Sequence, residues 1–427
     1  MKNIFVLYLA VFLTINSFSV ADISGQPVSS SFNPNFIHDI YMFDANNVIA
    51  VGSGGTVLKT SNSGSNWVTS ILNPAYELGR IQFLNNNTGW MLSNPNFGHI
   101  MKTTDGGQNW NDFDQITGPF YFSNEDDGWA AYTDGTAIRI YHTTNGGINW
   151  TTQFNLPDNY YPNTVYMGDD LTGYVLCFNN GPNSKLIKTT NGGADWIVQP
   201  LINYSLYTCE FINSNTGWAA GVTGTILKTS NGGDEWILQS SGTIEYLRSV
   251  SFLNENSGWI CGESIILKTS NGGVNWDKQF SLPTMNFFSI NSYDENNIWS
   301  AGNLNLELGG IIYKTLNGGN NWTRVYDNTV SINSVSNTVP EKFSLSQNYP
   351  NPFNPVTNLE FGIADLGFVT LKIYNGLGRE LQTLVNGNFA PGNYKVDFDG
   401  SNFASGVYFY KLEAGSFVET KRMMLLK

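Results

Sequence analysis

The sequence predicts an all-β protein, a seven-bladed β-propeller followed by a small C-terminal β-sandwich of immunoglobulin-like type, and three observations carry that prediction. A segment ending in tryptophan is written seven times at intervals of 40 to 46 residues, the size of one four-stranded propeller blade. Glycine is abundant (44 residues) and aromatics reach 14%, while charged residues make up only 13%, a mixture that favours strands and turns over helices. After the last repeat the pattern changes to three alternating runs, LKIYN, YKVDF and VYFYKLEA, of the kind half-buried strands carry.

The chain opens with the features of a secretory signal over residues 1–21: Lys2 as the positive start, an apolar run from Ile4 to Ile15, and the small-x-small site Ser19-Val20-Ala21 with cleavage after Ala21. The run is short and broken by Thr14 and Asn16, whereas a membrane span needs about 20 apolar residues. No later segment is apolar and long enough to span a bilayer, so the mature protein is expected to have no membrane span.

The repeats occupy residues 33–326. Their closing tryptophans are Trp67, Trp110, Trp150, Trp196, Trp236, Trp276 and Trp322, each ending a copy of the string seen as LKTSNGGVNW at 267–276. About twenty residues upstream six copies carry a second mark, such as FLNNNTGW at 83–90 and FINSNTGW at 211–218; the first copy has MFDANNVIAVG instead. One unit reads as strand (LRSVSFL), turn (NENSG), strand (WICGES), strand (IILKTS), NGG hairpin and strand (VNWDKQF). Asn-Gly suits a type I′ hairpin, in which both central residues take positive φ, and the Asn side chain, or Asp105 in the second copy, is expected to bond backbone two residues on. Each closing Trp is expected to face the neighbouring sheet and bury on the order of 200 Å².

This string resembles the Asp-box (BNR) signature of sialidase-like propellers, with Asn in place of Asp in six of the seven copies. Together with the upstream T-G-W it is more similar to the photosystem II stability/assembly-factor family of seven-bladed propellers, over about residues 33–326. The resemblance implies the fold; function resides in sites grafted on such a scaffold.

Residues 327–342 read as a Ser, Asn and Thr-rich linker, part of which, Val330 to Val335, competes with residues 24–32 to supply a strand that closes the ring. Residues 343–427 form the last module. Its string Tyr349, Pro350, Asn351, Pro352, Phe353, Asn354, Pro355, with the downstream SNFASGVYFYKL and a basic end, resembles the type A C-terminal sorting domain of the type IX secretion system. That resemblance implies type IX secretion machinery as a partner and a secreted or outer-membrane-surface location in a Gram-negative, Bacteroidetes-like bacterium. An adhesive or carbohydrate-binding sandwich is the alternative.

Twenty-one basic against thirty-four acidic residues give a net charge of -13, which repels phosphate backbones and sets nucleic acid aside as a partner. Cys177, Cys209 and Cys261 each lie in an apolar run and read as unpaired core residues, with a Cys209 to Cys261 bridge or a metal site as the alternatives. His38, His99 and His142 lie on different repeats without metal-ligand spacing, and His142 takes a slot that Lys fills elsewhere. No metal, cofactor or catalytic residue is assigned. A sialidase needs three arginines, and of Arg80, Arg139, Arg248 and Arg324 only two are on inner strands. A two-carboxylate hydrolase stays open, although Asp126-Asp127 and Asp169-Asp170 read as turn formers.

A ligand site belongs at the axis, where the first strand of each blade lines the channel. The residues expected there are His38, Arg80, Tyr207 and Arg248, with Arg80 and Arg248 either holding an anionic group or paired with Glu77 and Glu245. The expected function is a non-catalytic binding or scaffold module for a protein or glycan; the alternative is an extracellular glycoside hydrolase. Aromatics grouped on one face would favour binding.

Overall fold

The computed structural model describes residues 36–427, apart from 74, 94–98, 114, 115, 117, 180, 200, 201, 305–308, 328–331, 337–339, 366, 390 and 402. By its contacts the chain divides into Met1–Ser30 and Ser31–Lys427. The signal segment with Ala21 and residues 24–32 lie outside the described residues. Regular structure within them is β-strand, with two single 3-10 turns at Ser53–Gly55 and Val222–Gly224. Among the described residues no helix is long and apolar enough to cross a membrane.

Repeats 1 to 5 each form a separate four-stranded antiparallel sheet in which every strand pairs with its neighbour in sequence, beginning with Ile37–Met42, Val48–Gly52, Thr56–Thr60 and Val68–Ile71. Repeats 6 and 7 share one sheet, because two strands run on without a break. Gly258–Thr269 pairs with Leu247–Phe252 through its first half and with Asp277–Ser292 through its second; Asp277–Ser292 then pairs with Ile298–Leu304 from Met285 onward. The order of segments seen in the other repeats is thereby kept twice.

Seven apolar clusters lie one at each seam between successive repeats, so that a blade buries both faces against its neighbours. At the seam of repeats 7 and 1, Ile37, Ile40 and Leu58 meet Trp299, Ala301 and Ile312. Trp67 donates its indole N–H to the Val325 carbonyl at 2.9 Å, and Lys314 donates to Ser63 O at 2.6 Å. The expected closing strand is corrected here: Ile332–Ser336 pairs with Gly392–Asp399 of the C-terminal module. The described residues close the ring by packing, with no strand shared between repeats 1 and 7.

A belt of side-chain bonds also joins five of the seven successive pairs of inner strands. Tyr41 donates to Phe83 O, Gln82 bonds both N–H and C=O of Phe122, Glu210 accepts from Phe252 N–H, Ser251 from Ser292 N–H, and Asn291 from Met42 N–H. Tyr121 and Tyr166 fill the same column with ring centroids 5.1 Å apart.

The repeated hairpin differs from the type I′ turn expected. Both glycines take positive φ, as in Gly272 (67°) and Gly273 (90°), and the Asn does not. In repeat 6 the buried Thr269 hydroxyl donates to Asn271 Oδ1 at 3.0 Å and accepts from Gly273 N–H at 2.8 Å, while Asn271 Oδ1 accepts from Asn275 N–H, four residues on rather than two. The second mark is a turn in which one side chain, Asp44, Asn85, Asn124, Asp169, Asn213, Asn254 or Asp294, accepts N–H groups two and three residues on. Repeat 1, whose sequence departs from the pattern, keeps it through Asp44.

The two sets of tryptophans differ in depth. Trp196 and Trp276 are buried, but Trp67, Trp110, Trp150, Trp236 and Trp322 are half-buried, whereas Trp90, Trp218, Trp259 and Trp299 of the upstream mark are fully enclosed. Trp218 stacks on Phe252 of the next repeat at 3.6 Å, as Trp90 does on Phe122 at 3.9 Å. The glycine before Trp is needed because a Cβ on Gly258 would lie 2.4 Å from the Phe252 ring. The repeated Lys sits over its own repeat's upstream ring and donates to the next repeat's turn, as Lys228 does above Trp218 and toward Gly272 O.

The C-terminal module is two four-stranded sheets, one holding Ser344–Leu345, Val356–Ile363 and Gly392–Asp399 with Ile332–Ser336, the other Gly367–Asn375, Glu380–Phe389, Gly406–Ala414 and Phe417–Leu425. Leu359, Phe361 and Phe398 of the first meet Leu371, Tyr410 and Leu425 of the second in one core. Phe353 of the proline-rich string is buried in that core and bonds Met424 O and Leu426 N through its backbone.

Candidate functional site

Each inner strand runs from the end of the ring where the second and third strands turn to the end that carries the motif turns. One residue after its first buried position, the register slips in repeats 1, 4, 5, 6 and 7, leaving His38, Asn163, Tyr207, Arg248 and Phe288 unpaired as β-bulges. A bulge re-aims a side chain that a regular strand would point elsewhere. In repeat 2 the slip falls between Gly79 and Gln82, and Arg80 takes φ of 47°, a left-handed conformation that costs a non-glycine residue free energy. Glycine holds the bulge column in repeats 2 and 3, as Gly79 and Gly118.

Arg80 donates to the backbone carbonyl and Oδ1 of Asn163, and Asn163 Nδ2 donates to Tyr207 O. This reach from repeat 2 to repeat 4, past repeat 3, puts the guanidinium inside the ring. Arg248 forms an ion pair with Glu263 at 2.6 Å, and its guanidinium carbon lies 5.8 Å from the ring centres of both Tyr207 and Phe288. His38 meets the edge of Phe288 at 6.0 Å, accepts from or donates to Ser53 Oγ at 3.3 Å, and has Glu77 at 3.8 Å. Burial pulls the His38 imidazole down to about 4 and pushes the Glu77 carboxyl up to about 7, so at neutrality His38 is uncharged and Glu77 keeps its proton about half the time.

All four residues expected at the axis therefore share one end of the inner strands. Their partners differ from those expected: Glu77 faces His38 rather than Arg80, and Arg248 takes Glu263 in place of Glu245. The sequence reading missed the aromatic arc that joins them. Tyr161 and Phe178 lie 6.0 Å apart, Phe178 and Tyr207 6.2 Å, and Tyr207 and Tyr246 6.1 Å. A signal for it exists in the sequence. Six places before the residue that caps the second-mark turn, the column reads His, Gly, Gly, Asn, Tyr, Arg, Phe, six residue types in seven repeats.

The cysteines lie elsewhere. Cys177, Cys209 and Cys261 are buried and unpaired, so the bridge between Cys209 and Cys261 does not form, and burial pushes both thiols up to about 12. His142 stacks on Trp129 at 4.6 Å with Asp127 at 3.4 Å. Asp169 turns the chain as expected, but at Asp126-Asp127 the capping side chain is Asn124. Among the described residues no group of three or more His, Cys, Asp or Glu is arranged to hold a metal ion.

Two family models match the chain. One, described as photosynthesis system II assembly factor YCF48, matches residues 25–159 and 197–343; the other, a secretion system C-terminal sorting domain, matches residues 347–426. Among solved structures, "YCF48 bound to D1 peptide" is 19% identical with a TM-score of 0.52 over 66% of this chain and 92% of that one. YCF48 from Cyanidioschyzon merolae is 17% identical with a TM-score of 0.53, over 67% and 96%. U3-55K, at 8% identity and a TM-score of 0.51, covers 62% of this chain and 88% of its own. At such identities the likeness concerns the propeller fold alone. No curated protein matches. The sorting domain indicates type IX secretion, typical of Bacteroidetes, and a secreted or cell-surface protein that engages the secretion machinery. With repeats, propeller and family match in agreement, the chain belongs to the family of the photosynthesis system II assembly factor YCF48.

Proposed function

We propose that the chain is a seven-bladed, non-catalytic binding module, exported through a signal at residues 1–21 and the sorting domain at 343–427, that engages a macromolecular ligand at the bulged end of its ring. In this reading residues 33–326 form the ring and 327–342 connect it to the sorting domain. The observation that carries the reading is the bulge column: the backbone there aims a different side chain at the axis in nearly every repeat, and aromatic rings gather there. One YCF48 structure is described as bound to a D1 peptide, so a ring of this type holding a macromolecular ligand has a precedent.

A hydrolase reading rests on Glu77. A carboxyl pushed up to about 7 is in the protonation state a general acid needs, and Glu263 is a second carboxylate at the same end. Glu263 is nevertheless committed to Arg248, which weakens it as a base or nucleophile. The two readings separate in a reducing-end assay of the full chain with soluble polysaccharides. The expected result is no product. Product release that Glu77→Gln abolishes would replace the binding reading with the hydrolase.

A further inference from the structure

We infer that the aromatic arc at the bulged end is a site for a neutral glycan; this rests on the binding reading above and names its ligand class. Sugar rings present apolar C–H faces and a rim of hydroxyls, so they bind where flat aromatic faces lie beside a few fixed hydrogen-bonding groups. Here Tyr161, Phe178, Tyr207 and Tyr246 follow one another at 6.0 to 6.2 Å, and Tyr246 is 38% exposed. The same column holds Gly79, where an added Cβ would meet only the His38 Cβ at 3.8 Å, so repeat 2 puts no side chain of its own at that position.

Charge decides which glycan. Arg248 is neutralised by Glu263, Lys185 is paired with Asp158, and Arg80 spends its donors on Asn163. His38, whose imidazole burial holds at about 4, carries no charge at neutral pH. These cations are thus engaged or neutral, and the chain as a whole has a net charge of -13. A uronate, sulfate or sialate would enter an acidic field and would have to break an existing ion pair, whereas an uncharged sugar needs only rings and polar edges.

The test presents the full-length chain with cellohexaose, xylohexaose and mannohexaose, with polygalacturonate and heparin, and with a displayed library of random peptides. Tyr246→Ala and Phe178→Ala are compared with Val68→Ala on an exposed outer strand, and thermal melting verifies that each variant folds. Binding of at least one neutral hexaose is expected, weakened about tenfold or more in the two rim variants and unchanged in Val68→Ala. Rim-dependent capture of the anionic polymers or of peptides, without the neutral sugars, would overturn the glycan inference and leave the binding reading standing. Failure of the rim variants to alter any binding would overturn both.

Discussion

At the end of the inner strands where the chain turns back, the repeats meet one packing problem with one recurring set of residues: a Thr hydroxyl under an Asn or Asp cap, two left-handed glycines, a stacked ring and a Lys that reaches the next turn, with Ser63 for the first glycine and Ile49 for the ring in repeat 1 and His142 for the Lys in repeat 3. At the end where those strands begin, the same seven backbones carry His38, Gly79, Gly118, Asn163, Tyr207, Arg248 and Phe288. Every repeat has a repeat on either side, so whatever one seam requires all seams require, and the turn end is held to a single solution. At the opposite end the repeats meet one another through different pairs of side chains, such as Arg80 with Asn163, Arg248 with Tyr207 and His38 with Phe288, so no single solution is imposed. What varies there is free to serve a ligand, and the contrast separates architecture from site without any comparison to other proteins.

The contrast is tested most severely by Trp218→Ala. Its ring is fully enclosed, stacks on Phe252 of the next repeat and lies under Lys228. Removing it should cost about 3–5 kcal/mol in denaturant unfolding. Tyr246, equally aromatic but at the rim and partly exposed, serves as the comparison; a loss there as large as at Trp218 would erase the distinction between the two ends.

The propeller fold could be read from the sequence because periodicity survives any error about a single turn. The particular turns could not. Asn-Gly predicts a hairpin, yet the Asn works through its side chain and leaves positive φ to the two glycines, a choice set by the buried Thr hydroxyl two residues before it. That the upstream tryptophans lie deeper than the closing ones was not legible either, because a strand's depth in a seam depends on the next blade, which no local pattern encodes. At the site His38, Arg80, Tyr207 and Arg248 could be placed on inner strands, whereas the partners Glu263, Phe178 and Phe288 come from other strands and other repeats. The bulge that aims them was invisible residue by residue and visible only down a column.

Between the two ends lies the belt, and Glu210 is its ionisable member. Its carboxylate accepts Phe252 N–H at 2.9 Å, and burial pushes it up to about 8, with Tyr166 and Cys209 as its titratable neighbours. A carboxyl raised in the folded state holds a proton that the unfolded chain releases. Folding stability therefore falls as pH rises from about 4.5, and the loss is complete above about 8. Glu210→Gln should flatten the fall in Tm between about pH 5 and pH 8 relative to the parent chain. Glu77 acts in the same direction and His38 in the opposite one, so the difference between the two chains, not either curve alone, isolates Glu210. Identical curves would mean that Glu210 titrates alike in the folded and unfolded chains, which would overturn its burial as the cause.

The smallest expected effect comes from repeat 3, the one repeat whose Lys slot holds another residue. Lys59, Lys228, Lys268 and Lys314 each donate to the first glycine, or in repeat 1 the serine, of the following turn. Repeat 3 has His142 in that slot, stacked flat on Trp129 and drawn toward Asp127, and burial holds its imidazole below the usual range. A neutral ring cannot supply the cation that the other seams place over an indole and aim at a carbonyl. If the turn end is one solution repeated, His142→Lys should restore the seam toward repeat 4 and add about 0.5–1 kcal/mol of stability, the worth of a partly exposed cation over an indole. A destabilised variant would show instead that repeat 4, which carries Tyr174 and Gly168 where repeat 3 has Trp129 and Ser123 and repeat 5 has Trp218 and Ile212, has set its seam on different terms, with the histidine as part of that arrangement.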